Sequence, residues 1–441
     1  MSFVTRSPWT GKLLNTYKYI TSEHAHTYTN TLTHNHALWR KLPLSERTAR
    51  ISALTRTLSA ESERLAELIS AEMGKPVTQA RSEIVKSIDL IDWYIANTQT
   101  NTKIQNPAGF RCHVQHEPLG VIFGLMPWNY PLWQVMRWAV PALLVGNTCL
   151  LKPAEQTAGT GEFIAEIFTQ SLGLEVLKTA HIQPSLVHEL IYSQSVRGVS
   201  FTGSTKVGRL IAASAGGALK KCVTELGGSD PLVVLSDADD VEEIARVAVR
   251  ARMVNTGQSC ISPKRIIVHT KFFDGFKTAA IHAFKSVRFN DDYGPVVDLK
   301  AKTQLDDQLR RGVEAGAKVL AKLPEMPELA CHFAPCLVEV EAGNPLLEEE
   351  IFGPIMVLVK AGSDEEAVAM ANDSPYGLGC SVFTRNATDL DIQTGMCFFN
   401  STVRSDARLP FGGTKDSGIG RECGEFGLTE FTNLKLVCYK I

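Results

Sequence analysis

The sequence predicts an α/β protein with two parallel-sheet units and a small β extension. Three observations predict it. Short apolar runs alternate with helix-like stretches, each run passes into a turn containing Gly or Pro, and 441 residues exceed one ordinary core.

Before the alternation begins, two helical stretches are expected. Ser45 to Met73 carries Ile51, Leu54, Leu58, Leu65, Leu68 and Ile69 at helical spacing and stops at Gly74, with Pro76 just beyond. A second covers Thr78 to Ala96. Then Val121-Ile122-Phe123 precedes Pro127 and a helix-like Leu132 to Val145. Cys149-Leu150-Leu151 precedes Pro153 and Gly161 to Leu172, and Val199-Ser200-Phe201 precedes Gly203 and Lys206 to Ala213. Strands alternating with helices in this way imply a doubly wound parallel sheet. A second series begins at Pro231 to Leu235 with the helical Val241 to Met253. It continues through Arg265 to His269, Phe272 to Phe284 and Ser381 to Phe383. The boundary between the series falls near Glu225–Gly228, giving one unit from 1–109 and 121–225 and another from 226–408. Phe110 to His116 and Leu434 to Tyr439 read as edge strands, so 110–120 and 430–441 form the extension.

Composition narrows the partners. Forty-five Lys+Arg stand against 47 Asp+Glu, a formal net charge of −2, so no basic field exists for nucleic acid. The apolar stretch Val135 to Val145 is broken by Arg137 and Pro141, and none is long enough to span a bilayer. No secretory leader is visible, and ten scattered cysteines fit a reducing compartment, so a cytoplasmic protein is expected.

Four segments could carry chemistry. Cys260 lies in Asn255-Thr256-Gly257-Gln258-Ser259-Cys260, a polar loop between a helix and a strand, where a thiol can reach a pocket. Most cysteines in such a chain are inert, so Cys260 alone says little. Glu225 ends an apolar strand before Gly227-Gly228; a carboxylate half out of water there can serve as a general base, or be a solvated strand end. Gly203-Ser204-Thr205-Lys206-Val207-Gly208 is a strand-turn-helix junction able to seat a pyrophosphate, though many such turns hold two glycines. Pro127 and Pro131 stiffen the loop around Asn129, whose amide could stabilise an oxyanion or be purely structural. The His24/His26 and His34/His36 pairs have no completing ligand nearby and read as a polar helix face; no metal site is expected.

Taken in order, these segments resemble the aldehyde dehydrogenase superfamily. The likeness runs from about Ser7 to Tyr439 and also includes Lys152-Pro153-Ala154-Glu155, Glu349-Glu350-Ile351-Phe352-Gly353-Pro354 and Pro410-Phe411-Gly412-Gly413. The resemblance implies a doubly wound cofactor domain, an α/β catalytic domain and a β oligomerisation extension, assembled as a homodimer or homotetramer. It implies that Cys260 attacks an aldehyde and that the Asn129 amide and the Cys260 N–H hold the oxyanion. Hydride then leaves for a nicotinamide, and Glu225 activates the water that hydrolyses the thioester. Lys152 and Glu155 would meet the adenosine ribose, Gly203 and Ser204 the pyrophosphate, and Glu350 with Phe352 the nicotinamide riboside, with Trp128 beside them. A carboxylate at the ribose repels a 2′-phosphate, so Glu155 favours NAD, with NADP possible through Lys152.

Within the superfamily the closer likeness is to bacterial succinate-semialdehyde dehydrogenases. It is carried by Glu72-Met73-Gly74-Lys75-Pro76 with Gln79-Ala80-Arg81, by Pro131 to Arg137, and by Ser405 to Pro410. Arg137, two helical turns beyond Asn129, is the expected partner of a distal substrate carboxylate. Trp133 is expected in the tunnel wall, and Ser405 and Arg408 are weaker carboxylate candidates. The segments Gly173 to Pro184 and Phe289 to Val297 are shorter than in the family. The rival readings are a CoA-acylating relative, in which a thiol resolves the thioester, and a non-catalytic binding protein.

Overall fold

The computed structural model describes residues 1–99, 101–387 and 390–441, which contain two large sheets, a three-stranded sheet and two two-stranded ones. In the first, strands run in the order 418–419, 221–225, 196–202, 121–125, 148–152, 177–179, and only the short 418–419 edge is antiparallel. Side chains alternate between two apolar layers. Ile122, Cys149 and Leu151 face the helices 133–145 and 158–172, while Val121, Phe123 and Leu150 face the side of 184–192 and 205–217. Strands buried on both faces read as continuous apolar runs, which is why they stood out in the sequence.

The second sheet has the order 318–322, 336–340, 355–361, 265–269, 231–234, 379–383, 396–399, parallel except at the 318–322 edge. Leu232, Ile266, Met356 and Leu358 fill one layer; Val233, Ile267, Val357 and Val359 fill the other. The third sheet is antiparallel: 432–440 pairs with 110–118 along its whole length, and 101–103 pairs with the other side. Leu434, Leu436 and Tyr439 on it are at least half exposed.

Two expectations are corrected, and one element lay outside them. Ser45 to Met73 forms two helices, Leu44–Ala60 and Ser62–Met73, joined at Glu61 (φ −94°, ψ 9°). One near-helical residue redirects the axis while barely disturbing the apolar period, so periodicity missed it. The N-terminus forms a hairpin, Ser2–Arg6 with Leu13–Lys18, whose mostly exposed strands left no apolar signature. The histidine pairs sit on helix Ser22–Trp39, but that face is not uniformly polar. His36 is buried with Nδ1 3.0 Å from the Gly146 carbonyl, while His26 pairs with Glu189.

Candidate active site

A cleft of about 910 Å³ opens beside the carboxyl ends of strands 121–125, 148–152 and 196–202, where open α/β sheets bind ligands. Trp128, Lys152, Gly203 and Ser204 line it, and Phe201 and Val207 give it apolar wall. Ser204 is extended (φ −69°, ψ 146°) and its side chain makes no capping bond to helix 205–217. The first-turn N–H groups of that helix therefore have no partner within the helix. An apolar-walled cleft, an uncapped helix N-terminus and a half-buried Lys152 are features that suit a dinucleotide.

Glu155 departs from the expectation. Its exposed carboxylate accepts a hydrogen bond from the Tyr19 hydroxyl, and the cleft wall beside Lys152 is made by Ala154 and Gln156 instead. The chain after the N-terminal hairpin delivers Tyr19 to that place, a contact no local motif encodes.

Across the cleft mouth, Phe352 packs edge-to-face on Trp128, ring centroids 5.6 Å apart. Glu350 accepts from the Gly228 N–H at 3.0 Å, and burial raises its pKa although Lys264 opposes this. At Gly227 a Cβ would stand 2.5 Å from the Glu350 carboxylate, so the second segment of the motif Glu225-Leu226-Gly227-Gly228 exists to let Glu350 approach.

Cys260 sits in the loop between the turn 254–257 and strand 265–269, and four neighbours fix that loop. Buried Lys264 donates to the carbonyls of Ser259, Cys260 and Ser262 at 2.9, 2.7 and 3.2 Å. Buried Arg252 donates to Ile355 O, Ile351 O and Ser262 Oγ at 2.9, 3.0 and 2.9 Å, tying the cysteine loop to the Glu350–Phe352 segment. Gly257 (φ 70°) passes Gly353 so closely that a Cβ would meet its carbonyl oxygen at 2.5 Å. Gln258 accepts from the Val297 N–H at 2.9 Å. Sequence reading missed Lys264 and Arg252. The available signal was two basic residues next to a reactive-loop cysteine, and only burial separates these from surface charge.

Asn129, Glu225 and Arg137 converge on this loop. Asn129 Nδ2 donates to Gln258 O at 3.0 Å, its Oδ1 accepts from Gln134 at 2.9 Å, and its carbonyl accepts from Asn255 at 2.9 Å. The amide is thus locked with its N–H₂ side toward the cysteine loop, and its second hydrogen is not consumed by Gln258. Glu225, at the end of strand 221–225, is 2% exposed and neither carboxylate oxygen has a hydrogen-bond partner among the described residues. Desolvation first, then the neighbouring Glu422, hold its pKa well above the usual carboxylate range, against Arg137 and Arg421. Burial pushes the Cys260 thiol up to about 12, with Arg137 and Lys264 pulling it back and Asp230 and Glu225 adding to the rise.

Arg137 is buried with its Nε 2.8 Å from Glu422 Oε2 and its guanidinium 4.4 Å over the Phe411 ring. Its Nη2 is buried and has no hydrogen-bond partner among the described residues. One turn earlier, Trp133 donates through Nε1 to Ser405 Oγ at 3.2 Å. Arg408, by contrast, is engaged with Asp406 on the surface. Among the described residues no group of three or more His, Cys, Asp or Glu is placed to hold a metal.

A cysteine loop held by buried cations, a dry carboxylic acid beside it and a cleft at the strand ends are the features of an α/β enzyme. The family model for the aldehyde dehydrogenase family matches residues 1–437, and the chain belongs to that family. Succinate semialdehyde dehydrogenase [NAD(P)+] of Escherichia coli (strain K12) is 36% identical over 90% of this chain and 89% of its own length. Succinate-semialdehyde dehydrogenase [NADP(+)] of Deinococcus radiodurans is 35% identical over 99% of this chain and 94% of its own. The crystal structure of succinic semialdehyde dehydrogenase from Streptococcus pyogenes in complex with NADP+ superposes with a TM-score of 0.94, at 32% identity, covering 99% of both chains.

Proposed function

We propose that this protein oxidises succinate semialdehyde to succinate with NAD(P), using Cys260 as nucleophile, Asn129 as oxyanion donor and Glu225 as base. The observation that carries the substrate is Arg137: a buried guanidinium near Cys260 and Glu225 that retains an unpartnered N–H donor. A substrate carboxylate would satisfy it. A neutral aldehyde would leave it unpaired, and sites of that kind discriminate strongly.

In the mechanism Cys260 loses its proton and its sulfur bonds to the aldehyde carbon, and the new oxyanion accepts from the Asn129 amide and the Cys260 N–H. The bound dinucleotide supplies the hydride acceptor. Trp128, Lys152, Gly203 and Ser204 would hold it, with Glu350 and Phe352 at its reactive end. Glu225, dry and next to the loop, then takes a proton from the water that attacks the thioester. Its raised pKa makes it a stronger base once ionised.

Both NAD and NADP are admitted in this reading. The preference for NAD rested on a Glu155 carboxylate at the ribose, whereas that carboxylate bonds to Tyr19 and leaves Lys152 and Gln156 on the wall. The exposed apolar residues on 432–440, an edge strand, support assembly into a homo-oligomer through the small sheet. All ten cysteines are free, as a reducing compartment requires, and we place the reaction in the cytoplasm. Among the described residues no helix is long and apolar enough to cross a membrane.

An aldehyde panel followed by cofactor reduction, with NAD and NADP side by side, tests the reading. Succinate semialdehyde is expected to have the highest kcat/KM, with succinate rather than an acyl-CoA as product. A preference for neutral aldehydes would remove the substrate assignment. Arg137→Ala is expected to raise KM for succinate semialdehyde about tenfold or more beyond its effect on propanal. It also leaves Glu422 buried without its cation, so a fall in Tm accompanies it.

A further inference from the structure

Two cysteines that the mechanism does not use face each other in the small antiparallel sheet. Cys438 on strand 432–440 stands directly opposite Cys112 on strand 110–118, in a register that runs without a bulge. Opposed residues of an antiparallel pair point to the same face, so both thiols lie on one side of the sheet. Two hydrogen bonds fix which class of pair this is. The Ile441 N–H donates to Gly109 O at 3.0 Å, which makes 109 and 441 a hydrogen-bonded pair. Pairs alternate along the ladder, so 111 with 439 is hydrogen-bonded and 112 with 438 is not. The Cys112 N–H agrees, because it donates to Asn106 Oδ1 at 2.7 Å and not across to strand 432–440.

In a non-hydrogen-bonded antiparallel pair the Cα atoms are about 4.5 Å apart, and the side chains are at their closest. A disulfide spans Cα separations of about 4.4–6.8 Å, so this backbone admits one as it stands. The two thiols already interact: the neighbouring Cys438 thiol, and after it desolvation, raises the Cys112 pKa. They differ in access. Cys438 is exposed, whereas Cys112 is buried at 8% exposure. A dissolved oxidant therefore meets Cys438 first, with Cys112 beside it as the resolving thiol.

We propose that Cys112 and Cys438 are a reversible disulfide site, oxidised by a hydroperoxide, that staples strand 432–440 to strand 110–118. The Cys438 thiolate attacks one oxygen of hydrogen peroxide and the O–O bond breaks. Cys438 becomes a sulfenic acid, and the departing hydroxide takes up the thiol proton as water. Cys112 then attacks the Cys438 sulfur; the S–S bond forms, the S–O bond breaks, and the oxygen leaves with the Cys112 proton as a second water. Two electrons pass from the sulfurs to the peroxide, and a dithiol reductant restores both thiols. The link halts Cys438 at a recoverable state, short of sulfinic and sulfonic acid.

The test treats the whole protein with hydrogen peroxide, blocks remaining thiols with iodoacetamide, digests with trypsin without reduction and maps the peptides by mass spectrometry. A species linking peptide 112–137 to peptide 436–440 is expected, and dithiothreitol should remove it. Each of these peptides holds a single cysteine, so the link has one reading. On a non-reducing denaturing gel the oxidised chain should run as a single chain. In Cys112→Ser, Cys438 loses its resolving partner, and its sulfinic and sulfonic forms should rise at least about fivefold at equal peroxide. Cys438→Ser, a change at an exposed position, should abolish the linked species and leave kcat/KM before oxidation unchanged. Absence of the linked species in the unaltered protein would overturn the site, as would equal over-oxidation of Cys438 with and without Cys112. A linked species confined to a covalent dimer would overturn the pairing within one chain.

Discussion

The dinucleotide cleft and the cysteine pocket are built on opposite plans. The cleft is made by consecutive strand-turn-helix units, and its lining is largely apolar, with one lysine, Lys152, and polar side chains such as Gln156, Thr202 and His188. The pocket is made by side chains from residues 129, 137, 225, 260 and 422, brought together from five separate segments, with several ionisable groups held out of water. A cleft with a largely apolar lining holds few groups whose charge depends on pH. A pocket of dry acids around a half-buried thiol carries its protonation state into any chemistry it does. The comparison teaches that binding and chemistry here should be separable by mutation.

The largest effect should come from Cys260→Ser. Cofactor reduction is expected to fall more than about a thousandfold, while NADPH binding, read by fluorescence titration, stays within about twofold. Loss of binding together with activity would break the proposed separation. Next, Glu225→Gln should slow steady-state turnover by roughly a hundredfold or more and leave a rapid burst of cofactor reduction equal to the enzyme concentration. A slow burst would move Glu225 from the hydrolytic step to the first one.

The pH response sharpens the contrast further. The Cys260 thiol, held near 12, is neutral at pH 7, so its thiolate fraction grows as pH rises. Alkylation of Cys260 by iodoacetamide in cofactor-free protein should climb about tenfold per pH unit between pH 7 and 9. A plateau in that range would mean that Arg137 and Lys264 outweigh burial. The smallest effect belongs to the cleft rim. Tyr19→Phe frees the Glu155 carboxylate, and the ratio of kcat/KM for NADP to that for NAD is expected to drop about threefold. An unchanged ratio would show that Glu155 cannot reach the ribose even when released.

Legibility in the sequence followed the same divide. The strands 121–125, 148–152 and 196–202 were readable because each carries a buried apolar run and ends in a Gly- or Pro-bearing turn, and 231–234 because its residues are all apolar. Gly203-Ser204 was readable because a local turn is all that an uncapped helix start needs. The hairpin at 2–18 and the strand at 418–419 were not, since one is largely exposed and the other is two residues long. In the pocket, Cys260, Glu225 and Asn129 were picked out by their company along the chain. Lys264, Arg252 and Glu422 were not, because a charged residue in a sequence looks the same whether it will be hydrated or buried.

By itself the sequence determined the two parallel sheets, the glycine turn at Gly203-Ser204, the polar loop around Cys260 and the chain's place in the aldehyde dehydrogenase family. These depend on periodicity and on residues within a few positions of each other. Tertiary structure alone decided which charges are dry and which acid answers which base. It turned Glu155 to Tyr19 and gave Arg137 to Glu422 while leaving one donor over. The reason is physical: the energy of a charge is set by what surrounds it in space, and that surrounding is assembled from segments hundreds of residues apart.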